Sequence, residues 1–256
     1  MSQAARPREL RIIALTFADE IRTGDSLAEK IVQFLQHSKL SLKPGDILVV
    51  KHKIVSKAEG RFVDLEKVKP SAASRAWARR YNLDARVVEL ALAESRRVVR
   101  RRRGVLITET HHGLICANSG VDVSNVGGGR HALLLPRDPD RSAARLYREL
   151  KKCLRLSIPV IVTDSFGRPW REGLTEVAIG VAGMKAMHDY RGDRDPFGYP
   201  LRVSIEAVAD ELACVAGLVC GKLNRAPACI IRGFDYRRGR GHARDLIRPA
   251  ATDLFR

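Results

Sequence analysis

A carboxylate and a hydroxyl stand side by side at Asp164 and Ser165, directly after the strand-like run Ile158 to Thr163. Asp164 is expected where a buried strand ends and opens into a loop containing Gly167 and Arg168, the kind of place where sites are built. A carboxylate beside a hydroxyl suits a hard divalent cation. The competing assignment is a turn cap, with Asp164 accepting from nearby backbone N–H groups. A second carboxylate, Asp122, lies with the amide of Asn125 in the polar segment Asn118 to Gly129, where Gly127, Gly128 and Gly129 allow a close backbone approach. The segment matches neither the P-loop nor the dinucleotide-binding glycine pattern. Two such acidic loops on different strands can jointly hold one or two Mg2+ or Mn2+ ions that bridge nucleotide phosphates.

Lys53 and Lys57 follow a second apolar run, Ile47 to Val50. Lysine is a common point-charge partner for phosphate, and equally a device that keeps a strand edge from aberrant pairing. His111 and His112 fall in the turn of an expected hairpin without metal-ligand spacing, so they read as surface turn residues. The five cysteines form neither a CxxC pair nor a zinc-type array, and are expected to be reduced and mostly packed as small apolar side chains. No nucleophile elbow, HExxH helix or kinase signature is present.

The elements that must position these groups follow from periodicity. A first strand is expected over Leu10 to Leu15, then a helix capped by Ser26 with Leu27, Ile31, Phe34 and Leu35 on one face. Pro44, Gly45 and Asp46 signal a turn before a buried strand, Ile47 to Val50. Two Ala/Arg-rich helices, Ser71 to Tyr81 and Asp84 to Ser95, have small apolar faces and are expected to cover a sheet. A hairpin is predicted over Val105 to Thr110 and Leu114 to Ala117. Pro139 to Leu154 should be an amphipathic helix with Ala143, Leu146 and Leu150 inward, followed by a strand from Ile158 to Thr163. Strands at Val177 to Ala182, near Val203 and at Cys229 to Ile231, with a helix over Glu206 to Val219, complete an α+β or mixed α/β protein of largely antiparallel sheets with flanking helices. The 256 residues form one domain or two intimately joined ones.

Lys and Arg total 46 against 29 Asp and Glu, a formal charge of +17, which favours anionic partners of every kind. Six arginines crowd Arg96 to Arg103, a run expected at a solvated helix end or turn. A nucleic-acid-binding module is the alternative that this charge suggests. Against it, aromatic residues are 5% of the chain and do not interleave with the basic run, whereas single-strand binders offer stacking platforms. Without a signal core or an uninterrupted apolar stretch of about 18 residues, a cytoplasmic protein with no membrane partner is expected.

At these same segments the chain resembles the coenzyme F420-0:L-glutamate ligase family, the F420-0 γ-glutamyl ligases. The likeness is densest in Gly45 to Val50 with Ile54 to Arg61, in Asn118 to Val126, in Thr163 to Arg168 and in Ala178 to Met187. It implies an α/β fold with antiparallel sheets, a homodimer, GTP as cosubstrate, Mg2+ or Mn2+, and K+. It also implies addition of L-glutamate to coenzyme F420-0 through an acyl phosphate, with release of GDP and phosphate; a related amide ligase for another carboxylate acceptor is the alternative. By position, the resemblance implies metal ligation by Asp122, Asp164 and Ser165. It implies GTP contacts at Ile21, His52, Lys53, Lys57 and Asn125, and along Cys220, Gly221, Lys222, Leu223 and Asn224. The chain departs from the family pattern at Ala18 to Ile21 and at Lys222, where some members have an acidic or amide metal ligand. It is expected to lack the fused flavin-dependent domain of some bacterial members.

Overall fold

The computed structural model describes residues 9–124, 126 and 128–254. In chain order its elements are β1 (Arg11–Leu15), α1 (Leu27–His37), β2 (Ile47–Lys51), α2 (His52–Ala58), β3 (Phe62–Asp64), α3 (Ala72–Tyr81), α4 (Ala85–Ala93), β4 (Ser95–Arg102), β5 (Val105–Thr110) and β6 (Ile115–Ala117). They continue with β7 (His131–Leu133), α5 (Pro139–Leu154), β8 (Val160–Arg168), β9 (Arg171–Ala182), β10 (His188–Asp189), β11 (Ile205–Glu206), α6 (Val208–Cys220) and β12 (Ala228–Arg232).

The apolar runs build one five-stranded sheet in the order β1-β12-β2-β8-β9, in which only the β2–β8 pair is parallel. Side chains alternate across a strand, so a strand apolar at every position must be covered on both faces. Leu48, Val50, Val160, Val162 and Ile230 face α1 and α5, meeting Ile31, Leu146 and Leu150. Ile47, Val49, Ile161, Cys229 and Ile231 face α6, meeting Leu212 and Ala216. The mixed α/β architecture with mainly antiparallel strands is thus a helix–sheet–helix sandwich. At Gly180 of β9 a Cβ would lie 2.3 Å from the carbonyl oxygen of Pro139, so only glycine lets the start of α5 approach the sheet this closely.

A second sheet, β4-β5-β6, is covered by α3 and α4, whose Ala78 and Val88 pack on Leu106 of β5. Here the expected hairpin is joined by an unexpected strand. The arginine run is not a helix end: Arg96 to Arg102 lie on the edge strand β4, with two register shifts against β5, and only Arg103 stands in the turn that follows. The β-branched Val98 and Val99 favour extension, and pairing with β5 outweighs the local repulsion. Near Val203 the chain bends, and the short β11 begins two residues later. Among the described residues no helix is long and apolar enough to cross a membrane. The cysteines are free; Cys116, Cys220 and Cys229 are buried and Cys153 is exposed.

Candidate active site

Strand β8 does not stop at Asp164. It continues as a hairpin with β9 to Arg168, and a register shift after Val162 marks the passage from core to site. Past that shift the alternation of side chains divides chemistry between the two faces of the strand. Thr163 and Ser165 point to one face and Asp164 to the other.

On the first face Ser165 stands opposite Glu176 of β9, and Thr163 stands beside Lys51, the last residue of β2. Ser165 Oγ donates to Glu176 Oε1 at 2.6 Å, Thr163 Oγ1 donates to Oε2 at 3.0 Å, and Lys51 Nζ lies 2.5 Å from Oε1. Glu176 is 7% exposed and Lys51 17%. Burial opposes the charge of Glu176, but Lys51 and the two hydroxyls hold its carboxyl below the ordinary value. Room for this carboxylate comes from Gly217 of α6, where a Cβ would lie 2.6 Å from Glu176 Cγ. Lys222, just past the end of α6, donates from Nζ to Ser165 Oγ.

On the second face the chain turns at Lys51 straight into α2, which sets His52 against Asp164. His52 Nε2 lies 3.2 Å from Asp164 Oδ1, and the Ser165 backbone N–H donates to the same oxygen at 2.7 Å. Asp164 therefore does accept a local backbone bond, as the turn-cap assignment required, while sitting inside a strand. Burial raises its pKa, yet the charge and hydrogen bond of His52 and the Ser165 N–H hold the carboxyl below its ordinary value; the charge of Asp122 works against them. Two half-buried carboxylates that feel each other's field are the arrangement a divalent cation relieves.

Lys53 and Lys57 project from one face of α2, being four residues apart. They lie on a helix, not at a strand edge. Lys53 Nζ is 2.7 Å from Asp122 Oδ2 and donates to Ser124 O at 2.9 Å; Lys57 Nζ is 2.6 Å from Glu20 Oε2. Asp122 is anchored by a two-way backbone bridge to Leu133 of β7, and its Oδ1 accepts from Ser124 N at 2.6 Å. Burial opposes ionisation of Asp122 also, and the bonds from Lys53 and Ser124 lower its pKa nonetheless.

These groups line one cavity of about 780 Å³, a size suited to a nucleotide-scale ligand. Ile21, His52, Lys53, Lys57, Asp122, Asp164, Ser165, Cys220, Gly221, Lys222 and Leu223 are all on its wall. Asn224 is not; its side-chain amide folds back over Gly221, 2.8 Å from where a Cβ would stand there. Asn125 lies outside the described residues. The segment Ala18 to Ile21 forms part of the wall and gives Lys57 its partner Glu20.

The two charged groups that build the first face, Lys51 and Glu176, had not been singled out from the sequence. Lys51 and Glu176 were detectable only as charged residues next to apolar strand runs. Among the described residues no group of three or more His, Cys, Asp and Glu side chains is placed to hold an ion. The donor set fits Mg2+ or Mn2+ in another way. Asp122 and Asp164 supply hard carboxylate oxygens, and such ions are commonly held by one or two carboxylates with waters and substrate phosphates completing the shell; the Ser165 hydroxyl, on the opposite face of β8, already bonds Glu176 and Lys222.

A family model described as F420-0:Gamma-glutamyl ligase matches residues 17–233. The coenzyme F420:L-glutamate ligase of Methanopyrus kandleri is 41% identical over 252 residues, covering 96% of this chain and 98% of that protein. That of Methanothermobacter thermautotrophicus is 42% identical over 239 residues, covering 92% and 94%. That of Methanocaldococcus jannaschii is 40% identical over 232 residues, covering 90% of each.

Proposed function

Because the chain belongs to the F420-0:γ-glutamyl ligase family, we propose that it joins L-glutamate to coenzyme F420-0 with cleavage of GTP to GDP and phosphate. A carboxylate cannot be converted to an amide directly, since the amine would have to expel oxide. In the proposed sequence a carboxylate oxygen of the acceptor attacks the γ-phosphorus of GTP and GDP leaves. The amine of glutamate then attacks the acyl carbon, phosphate leaves, and the amine proton passes to solvent or phosphate. The phosphoryl transfer and the acyl transfer that follows both call for positioning and charge stabilisation, with no protein nucleophile.

The observation that carries this reading is the convergence of Asp122, Asp164, Ser165, Lys53, Lys57 and Lys222 on one cavity from four separate stretches of chain. Lys53 and Lys57, two residues on one helical face, are placed to exchange their carboxylate partners for phosphate oxygens. Asp122 and Asp164 would hold Mg2+ or Mn2+, which when bound would neutralise phosphate charge, while Ser165 carries Lys222 on the other face of β8. His52 keeps Asp164 oriented. Phe17, Ile54 and Leu174 on the wall limit the access of water, which would otherwise hydrolyse the acyl phosphate.

The test is to incubate the purified protein with GTP, Mn2+, L-glutamate and F420-0 and follow both GDP and the glutamylated product by mass spectrometry. Equimolar GDP and product are expected. Absence of both with Mn2+ and with Mg2+ overturns the assignment.

A further inference from the structure

Residue chemistry alone leaves one or two divalent ions open for this pocket. We propose that it takes a single divalent cation, at Asp122 and Asp164, and that the ammonium of Lys222 stands at Ser165 as the second positive charge. The inference rests on the ligase reading and refines its phosphate-binding site.

The two faces of β8 are not equivalent as cation sites. Asp164 and Asp122 each carry one nitrogen partner, the His52 imidazole and the Lys53 ammonium. Both partners can be given up: Lys53 keeps the Ser124 carbonyl at 2.9 Å and hydroxyl at 3.0 Å as alternative acceptors, and His52 keeps Ser56 Oγ at 3.4 Å. The opposite face has no such vacancy for a metal. Glu176 Oε1 accepts from Ser165 and from Lys51, and Oε2 accepts from Thr163. Ser165 Oγ, having given its proton to Glu176, accepts from Lys222 Nζ. An ion brought to Ser165 on this face would meet the ammonium groups of both Lys51 and Lys222, and the like charges disfavour it.

The pocket lysines also differ in what balances them. Lys51, Lys53 and Lys57 are paired with Glu176, Asp122 and Glu20. Among the described residues Lys222 has no carboxylate partner, so its charge is left over for a ligand. Its position is set by Gly221, whose φ of +58° turns the chain as it leaves α6. An ammonium in this place interacts with phosphate as a point charge. It differs from a second metal in that it needs no occupancy of its own and forms no coordination bond.

Manganese stoichiometry tests this without recourse to turnover. The protein is loaded with GDP, freed of excess nucleotide and titrated with Mn2+, bound metal being counted by the loss of the free-ion electron paramagnetic resonance signal. One Mn2+ per chain is expected for the wild type and for Lys222→Arg, and two for Lys222→Asp. Lys222→Asn is the second variant should Lys222→Asp not retain GDP, and it is expected to bind more than one. Two Mn2+ in the wild type, or one in every Lys222 variant, overturns the inference and leaves the ligase reading standing. No Mn2+ on the GDP-loaded wild type overturns both.

Discussion

Four lysines line the pocket and six arginines crowd strand β4 and its turn, and the two sets differ in what holds them. The pocket lysines come from two distant stretches of chain, and each meets a carboxylate or hydroxyl carried by a different element. The arginines are consecutive or nearly so, exposed, and on the edge of a three-stranded sheet; Arg97 pairs with Glu109, and the other five have no carboxylate partner among the described residues. Density of charge along a sequence therefore says little about a site. A site needs opposed charges fixed by separate elements, while a run of one sign on an edge strand serves to discourage edge-to-edge pairing.

The largest effect that would break this contrast lies at Asp164. Replacing it by Asn keeps the shape and removes the charge, and turnover is expected to fall at least about a thousandfold, the scale of several kcal/mol of metal-assisted stabilisation. GDP release at saturating Mn2+ measures it, with thermal unfolding to show that the fold persists. Turnover within tenfold of wild type would remove Asp164 from the metal site.

Next is Glu176→Gln, which leaves Lys51 as an uncompensated charge in a nearly buried setting. A loss of about 3 kcal/mol in unfolding free energy is expected, read from urea denaturation. The pH dependence sharpens the assignment. Since the folded state holds the Glu176 carboxyl below its ordinary value of 4.5, its stabilisation is complete above that pH and is lost as pH falls through the lower, folded-state value. The stability curves of wild type and variant should therefore converge below pH 4.5; a constant gap would mean that Glu176 does not titrate in this way.

The smallest effect is expected on β4. Changing Arg100, Arg101 and Arg102 together to Gln should leave turnover within about twofold and stability within about 0.5 kcal/mol. A tenfold loss of turnover would show that the basic strand belongs to the catalytic surface after all.

Short-range physics was readable from the residues. The buried strand Ile47 to Val50, the N-cap at Ser26, the inward face of Ala143, Leu146 and Leu150, and the hairpin around His111 to Gly113 depend on neighbours a few positions away, where periodicity and turn chemistry act. Asp122, Asp164 and Lys57 stood out because polar groups interrupt or follow apolar runs. What the sequence could not supply was any relation between such groups. Lys51 and Glu176 are 125 positions apart, and Lys222 and Ser165 are 57 apart; their pairing follows from the parallel register of β2 with β8, the hairpin register of β8 with β9 and the gap at Gly217. The strand over Arg96 to Arg102 was unreadable for the same reason, because a strand at a sheet edge exists only through its partner. Residue types determined by themselves that a metal- and phosphate-binding chemistry was available. Which carboxylate each lysine meets was decided only when the sheet brought distant charges within a few ångströms, where Coulomb forces in a partly dry pocket outweigh anything local sequence specifies.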